Sequence, residues 1–436
     1  MYFPQAAFKI DVLIVGGGIG GLACAYALGR SGHRVRVLEK TDGCQRGAGV
    51  RVPPNLTKIL VEWGLGSQMK KCQACRKTTF MSLDSGEVLG VLEWKEDVLR
   101  EAGGQFLLIG YDELYQMLHR LALSVGAVIT FNAAVTGADL ATIPSVYLAN
   151  DTAADSGHTW YTAIVPIERM IRDPDLEKWA HVPQWPIWMG DNRCSFGFPI
   201  VCLQCRTSFY SSPPLHGREN DYSFSLYWPD TDVPTGAPEG WNVYCPTSIL
   251  DLSSYDDRVR RLFNMVPTAQ RVKYVLRDRI EEWVDHSGRM VLIGEAAHPL
   301  LPHSTHGASM AVEDAEALGV LMSRLRSREQ IPQLTEGFQE LRKKRCEFIH
   351  HGELSNASLT TMRPGEGRDM RDAGLRESLE TGIEHWDDGA LRDQWEQIEE
   401  GFAYHAREAS EDWWRKWGSL GDKSGDGELV IKVATT

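Results

Sequence analysis

Three groups of residues have the types and spacing to do chemistry. In the first, Gly16-x-Gly18-x-x-Gly21 follows the apolar run Val12-Leu13-Ile14-Val15, and a second apolar run, Val35-Arg36-Val37-Leu38, ends on Glu39. Gly16 allows a tight turn, Gly18 lets a pyrophosphate approach the backbone, and Gly21 lets helix and strand pack closely. The helix opening at Ile19 points free N–H groups and a partial positive charge at the same spot. A carboxylate at Glu39 suits the hydroxyls of an adenosine ribose. These residues predict a dinucleotide site formed by Gly16, Gly18, Ile19, Gly21 and Glu39; the alternative is a purely structural glycine turn. In the second group, Val291-Leu292-Ile293-Gly294-Glu295-Ala296-Ala297-His298-Pro299, a strand expected over 290–293 runs into a glycine, an acid, small residues and His-Pro. In the third, His303 and His306 precede Gly307-Ala308 at the start of an expected helix. Bare N–H groups there would stabilise a developing negative charge. The two imidazoles read either as general bases or pocket hydrogen bonders, or as solvent-facing loop residues.

These groups need elements to carry them. Strand, glycine turn, helix and strand from Val12 to Glu39 form a βαβ unit. Residues 78–106 show short alternating strands, and 112–124 a helix with Leu114, Met117, Leu118 and Leu121 at helical spacing. Residues 160–244 are rich in aromatics, prolines and strand-like runs, which suits a sheet closing over a pocket. Trp185, Trp188, Phe196, Phe198, Tyr227 and Trp228 are its candidate lining. A helix is expected over 308–326. From Pro332 onward the chain is helical and charged, ending in Trp413-Trp414 and Trp417. The expected class is α/β, with no internal repeat. A nucleotide-binding domain built from 1–75, a shortened 106–159, and 281–350 is interrupted by substrate-sheet segments at 76–105 and 160–280. Residues 351–436 add C-terminal helices.

The 436 residues carry a net charge of -13, which argues against a nucleic-acid partner. No segment offers the roughly 18 uninterrupted apolar residues of a membrane span. The N-terminus lacks the pattern of a secretory signal. Nine scattered cysteines suit reduced thiols and a cytoplasmic setting. Of the Cys72/Cys75 and Cys202/Cys205 pairs, neither lies in a knuckle-like, Gly-rich context, so unpaired thiols are expected and no metal site.

The segment Gly294-Glu295-Ala296-Ala297-His298-Pro299 resembles the second FAD fingerprint of the single-component (group A) aromatic hydroxylases, Gly-Asp-Ala-Ala-His-Pro, with Glu295 in place of the aspartate. The stretch from Pro302 to Ala315 is similar to the Pro-x-x-x-Gln-Gly-x-x-x-Ala-x-Glu-Asp-Ala segment of that family, with His306 where glutamine is usual. Gly47-Ala48-Gly49-Val50-Arg51-Val52-Pro53-Pro54-Asn55 is similar to its flavin-edge loop, and Arg277-Asp278-Arg279 with Trp283 to its lead-in. In this order the motifs identify the chain as salicylate hydroxylase-like, of the fungal secondary-metabolism branch. The resemblance implies a para-hydroxybenzoate hydroxylase-like fold and FAD held by Gly49, Arg51, Tyr111, Gly294, Glu295, Gly307 and Ala308 as well as by the first glycine loop. It puts the Glu295 carboxylate on a ribityl hydroxyl and Pro299 beside the flavin. His303, His306, Tyr111 and Pro299 are the catalytic candidates. Glu313 and Asp314 are expected to hold the helix in place.

Two departures stand out. Relatives carry an arginine before the Asp-Leu of the second FAD-domain helix; here the position is Tyr111, which supplies no positive charge. The family's Asp-Gly strand and loop, linked to FAD and NAD(P)H, has no counterpart between residues 135 and 160, where the spacing is too short. The expected function is FAD-dependent, NAD(P)H-using hydroxylation or epoxidation of an electron-rich aromatic or indole-like molecule, with O2 carried as a flavin C4a-hydroperoxide. The protein would be a monomer or homodimer. The alternative is a descendant that has lost redox activity and catalyses a cyclisation or rearrangement.

Overall fold

The computed structural model describes residues 3–43, 48–135, 154–201, 220–240, 242–276, 280–380, 395–396 and 398–419. Gly47, residues 136–153, Cys202, Cys205 and residues 277–279 therefore lie outside the described residues. Among the described residues the strands are β1 (Asp11–Val15), β2 (Arg34–Leu38), β3 (Gly49–Val52), β4 (Gln73–Ala74), β5 (Lys77–Ser82), β6 (Val88–Glu93), β7 (Leu107–Gly110), β8 (Val128–Thr130), β9 (Ala154–Pro166), β10 (Gln184–Gly190), β11 (Arg193–Val201), β12 (Asn220–Pro229), β13 (Asn242–Pro246) and β14 (Thr268–Leu276). They make three sheets, and the fold is α/β with C-terminal helices.

The Rossmann-like part is the parallel sheet β1-β2-β8. Alternation along its strands sends Ile14, Val35 and Val37 into the main core. There they meet the helices Ile19–Arg30, Tyr111–Ser124 and Gly307–Met322 through Leu22, Leu114 and Met310. The opposite face is exposed among the described residues. Leu13, Arg36 and Val128 lie side by side in register, and Leu13, Val15 and Val128 are 58%, 64% and 57% exposed. Parallel sheets ordinarily bury both faces, and among the described residues this one leaves Leu13, Val15 and Val128 exposed.

The large sheet runs β13-β14-β9-β12-β11-β10-β5-β6, antiparallel except for β10 on β5. One face packs Tyr161, Trp188, Tyr222, Phe224 and Trp228 against Val259, Leu262 and Phe263 of the helix Asp257–Asn264. The other carries Trp160, Phe196, Phe198 and Tyr227 and packs with Phe106, Leu301 and Phe402. A small sheet, β3-β7-β4, joins the halves: Gly49 N donates to Ser223 Oγ of β12 at 2.8 Å.

Two expected elements differ. Residues 290–293 form no strand. Their hydrogen bonds go to a neighbouring turn, with Leu292 N donating to Trp283 O at 2.8 Å and Asp285 N to Met290 O at 3.1 Å. A single bridge, Val284 with Val291, results, and Val291, Leu292 and Ile293 are half-buried. Glu96–Glu101, expected among strands, is a helix. Its acids sit in the first turn and Arg100 in the last, as the helix dipole favours, while Val98 and Leu99 turn inward.

Candidate active site

The glycine loop is shaped by what a side chain would strike. Gly16 has φ +102 and donates its N–H to Leu38 O at 2.8 Å, which closes the turn. A Cβ on Gly21 would lie 1.9 Å from Gly16 O, so helix and strand meet only because none is there. A Cβ on Gly18 would meet nothing within 4 Å. The backbone there opens into a cavity of about 510 Å³ lined by Gly16, Gly18, Ile19, Gly21, Gly49, Arg51, Tyr111, Gly294, Glu295, Gly307 and Ala308. Five separate segments thus converge on one space. An open, glycine-walled approach beside a helix N-terminus fits a dinucleotide pyrophosphate.

Glu39 is buried at the end of β2. One carboxylate oxygen accepts from Gly17 N at 2.7 Å, and the other from Thr41 N and Oγ1 at 2.8 Å each. Burial works against the charge, but these bonds win and hold the carboxyl below its ordinary value. Glu295 is exposed in a short 3-10 turn facing the cavity. Tyr111 opens its helix at the cavity wall, anchored by its N–H to Ala48 O at 3.0 Å. Burial, then the neighbouring Glu295 carboxylate, push its phenol up to about 12, so it stays neutral.

The far end of the cavity is aromatic. Phe196 and Phe198 of β11 line it together with Leu301, Pro302, His303 and Ser304. The Arg51 guanidinium stacks 4.1 Å from the Trp185 ring centroid and 5.0 Å from that of Phe196, and donates to the His303 carbonyl. His303 Nε2 is 2.6 Å from Thr162 Oγ1, and its ring lies against Trp160. Burial and the Arg51 charge push this imidazole down to about 4, so it is neutral at physiological pH. Trp188 and Trp228, expected in the lining, are on the opposite face of the sheet. Trp188 Nε1 donates there to Asp256 Oδ2 at 2.7 Å. Strand alternation puts residues 185 and 188 on different faces. Tyr227 is on the cavity side but packs on His158 and Trp160.

Pro299 and the His306 ring are not among the lining residues. His306 caps the Gly307–Met322 helix and turns toward the Ile331–Thr360 helix. Its Nδ1 is 2.8 Å from Glu353 Oε1, and its ring stacks on Phe402. Gly307 and Ala308 face the cavity with first-turn N–H groups that have no intrahelical partner.

Beneath the loops lies a fully buried ionic cluster. Arg342 bonds Asp314 Oδ1 at 2.8 Å and Glu313 Oε2 at 2.7 Å, Arg345 reaches Glu313, and Asn55 donates to Glu313 Oε1 at 2.7 Å. Asp314 Oδ2 accepts from Gly294 N at 2.8 Å and pairs with His298 Nε2 at 2.6 Å. The cluster therefore ties the Gly294–Glu295 turn to two helices. Glu313 and Asp314 join the Gly307–Met322 helix to Arg342 and Arg345 of the Ile331–Thr360 helix; these two arginines, His298 as the partner of Asp314, and Glu353 as the partner of His306 were not expected from the sequence. The Cys72 and Cys75 thiols, pushed up to about 12 by burial, donate to Gln68 and Lys77 carbonyls.

Residues 14–54, from β1 to the start of the first helix after β3, match the model of an NAD(P)-binding Rossmann-like domain. The chain is 27% identical over 382 residues to "FAD-dependent monooxygenase cfoG" of Aspergillus candidus, covering 78% of this chain and 83% of that one. It is 26% identical over 393 residues to hispidin-3-hydroxylase of Neonothopanus nambi, covering 79% and 88%. A solved salicylate hydroxylase substrate complex superposes with TM-score 0.65 at 17% identity, covering 94% of this chain and 98% of that one. The chain is thus a relative of the FAD-dependent monooxygenases and has the fold of the salicylate hydroxylases, as its motifs implied.

Proposed function

We propose that this chain, a relative of the FAD-dependent monooxygenases, is itself one: it uses NAD(P)H and O2 to hydroxylate or epoxidise an electron-rich aromatic molecule, within secondary-metabolite biosynthesis. The observation carrying this reading is the single cavity that joins the Gly16–Gly21 loop to Phe196, Phe198 and His303 of the aromatic end. Gly16, Gly18, Gly21, Glu39 and Glu295 would hold FAD, which when bound supplies the electron transfer and oxygen activation that side chains cannot. The chain supplies position and electrostatics. The N–H groups of Gly307 and Ala308, at a helix N-terminus, favour negative charge at their end of the cavity. Phe196, Phe198 and Leu301 exclude water from the substrate end. His303 Nε2, paired with Thr162 Oγ1, gives that end a neutral hydrogen-bonding group rather than a charged acid. Among the described residues no helix is long and apolar enough to cross a membrane.

The relatives named above are a monooxygenase and hydroxylases, which weighs against a non-redox cyclisation. The test supplies FAD, NADH or NADPH and a panel of phenols and aromatic acids under 18O2. One labelled oxygen atom entering a product supports the reading. A product that is an unlabelled isomer of its substrate, formed equally without O2, establishes the non-redox alternative instead.

A further inference from the structure

A buried carboxylate stands behind the first turn of the helix Gly307–Met322. Gly307 and Ala308 line the cavity, while the side chain of the N-cap residue, His306, makes no cap of its own. The acceptor comes from another helix. Glu353 Oε1, on Ile331–Thr360, accepts from His306 N at 3.0 Å and lies 2.8 Å from His306 Nδ1. Burial works against the Glu353 charge, but the His306 bonds and the Arg51 cation prevail and hold the carboxyl below its ordinary value. The imidazole spends its other nitrogen on nothing: among the described residues Nε2 is buried and unpartnered, and the ring stacks on Phe402. An amide oxygen could accept the same two bonds, so hydrogen bonding alone does not call for a buried charge here. What the charge alters is the field. A helix N-terminus carries about half a positive elementary charge, and Glu353 sets a full negative one against the residue before Gly307.

We infer that Glu353, held in place by His306, tempers the positive end of this helix and so limits how much negative charge the Gly307 end of the cavity accepts. Glu353 is a positioning residue: it acts through the helix end, from behind the cavity wall. Resting on the monooxygenase proposal, this makes Glu353 a group that keeps bound flavin harder to reduce. Removing its charge makes the flavin a better electron acceptor.

The test compares the full-length protein with Glu353→Gln, which keeps an acceptor for both His306 bonds and removes only the charge. Both are loaded with FAD and titrated with sulfite at about pH 8, above the ordinary range of imidazole. Sulfite adds to oxidised flavin more tightly the better the site supports negative charge on the ring. The expected result is sulfite affinity higher by about tenfold or more in Glu353→Gln, the order expected of one unit charge at close range in a protein interior. The flavin midpoint potential should rise with it. Equal or weaker sulfite binding by the variant overturns the inference, since a merely structural role for Glu353 moves neither quantity. A second arm does without FAD: crystals of both cofactor-free proteins are soaked in bromide, which its anomalous scattering locates. Bromide at Gly307 and Ala308 in Glu353→Gln but not in the unmodified protein supports the inference. Bromide there in both proteins, or in neither, overturns it, and its presence in the unmodified protein does so without need of any variant. The expected bromide result in proteins that take up no FAD would leave the inference about the helix end standing and sink the monooxygenase reading instead.

Discussion

Gly18 and Gly21 separate cofactor binding from folding. Gly18 has φ -74 and ψ -171, which any residue adopts, and a Cβ there meets no atom within 4 Å. Replacing Gly18 with alanine gains roughly 0.4–1 kcal/mol of chain entropy and loses a comparable amount because alanine is a poorer N-cap. The folded, cofactor-free protein should therefore change by less than about 0.5 kcal/mol. Valine at the same place projects into the approach that the pyrophosphate needs. Losing even one charged hydrogen bond costs about 1.5–3 kcal/mol, or about 10- to 100-fold in FAD affinity. Gly21→Ala reverses the pattern: its Cβ falls 1.9 Å from Gly16 O, and overpacking of this kind costs about 1–3 kcal/mol or more without any ligand. Melting curves of the cofactor-free proteins, with FAD titrations followed by flavin fluorescence, give both quantities. Gly18→Val that still binds FAD like the parent would show that the pyrophosphate does not pass Gly18, and Gly21→Ala that melts like the parent would show that helix and strand have room for a side chain there.

Further outcomes follow from the other groups. Glu295→Gln, at the exposed turn beside the cavity, should weaken FAD binding by about 1–3 kcal/mol with little change in melting; undiminished affinity with lost turnover would make Glu295 catalytic instead. Arg342→Met takes the shared buried guanidinium from Glu313, which keeps Arg345, and from Asp314, which keeps His298, and should cost about 3–5 kcal/mol, read as a large drop in melting temperature. Burial alone would lower His298, but the Asp314 carboxylate 2.6 Å away outweighs it and raises the imidazole to about 10. A group raised in the folded state contributes fully below its unfolded value of 6.5 and loses that contribution as pH rises through 10. Denaturation at stepped pH across that window should therefore fall more steeply for the parent than for His298→Gln, and parallel slopes would show that the pair is not charged.

The glycine loop and Glu39 were legible in the sequence because turn, helix start and strand end are set within a few residues. The same holds for Tyr111, which opens its helix where the register put it. Residues 290–293 read as a strand because an apolar run reveals burial tendency, not which neighbour takes its hydrogen bonds. Trp188 carried a usable signal: three residues from Trp185 in a strand, it could not share that face. The partners of the site carried none. Arg342 is 28 residues from Asp314, and Glu353 is 47 from His306. Only the packing of the Ile331–Thr360 helix against Gly307–Met322 brings them together.

If the proposed function holds, the cavity binds FAD and lets NAD(P)H reduce it. Its most direct test loads the purified protein with FAD, removes excess cofactor, and follows the flavin band under nitrogen after mixing with NADH or NADPH. One FAD should be retained per chain, and its band should bleach completely. The bleaching should be slow by family standards, because Tyr111 supplies no charge and the Asp-Gly element has no counterpart in the sequence. A protein that retains no FAD, or whose FAD stays oxidised with both nicotinamides, would contradict it.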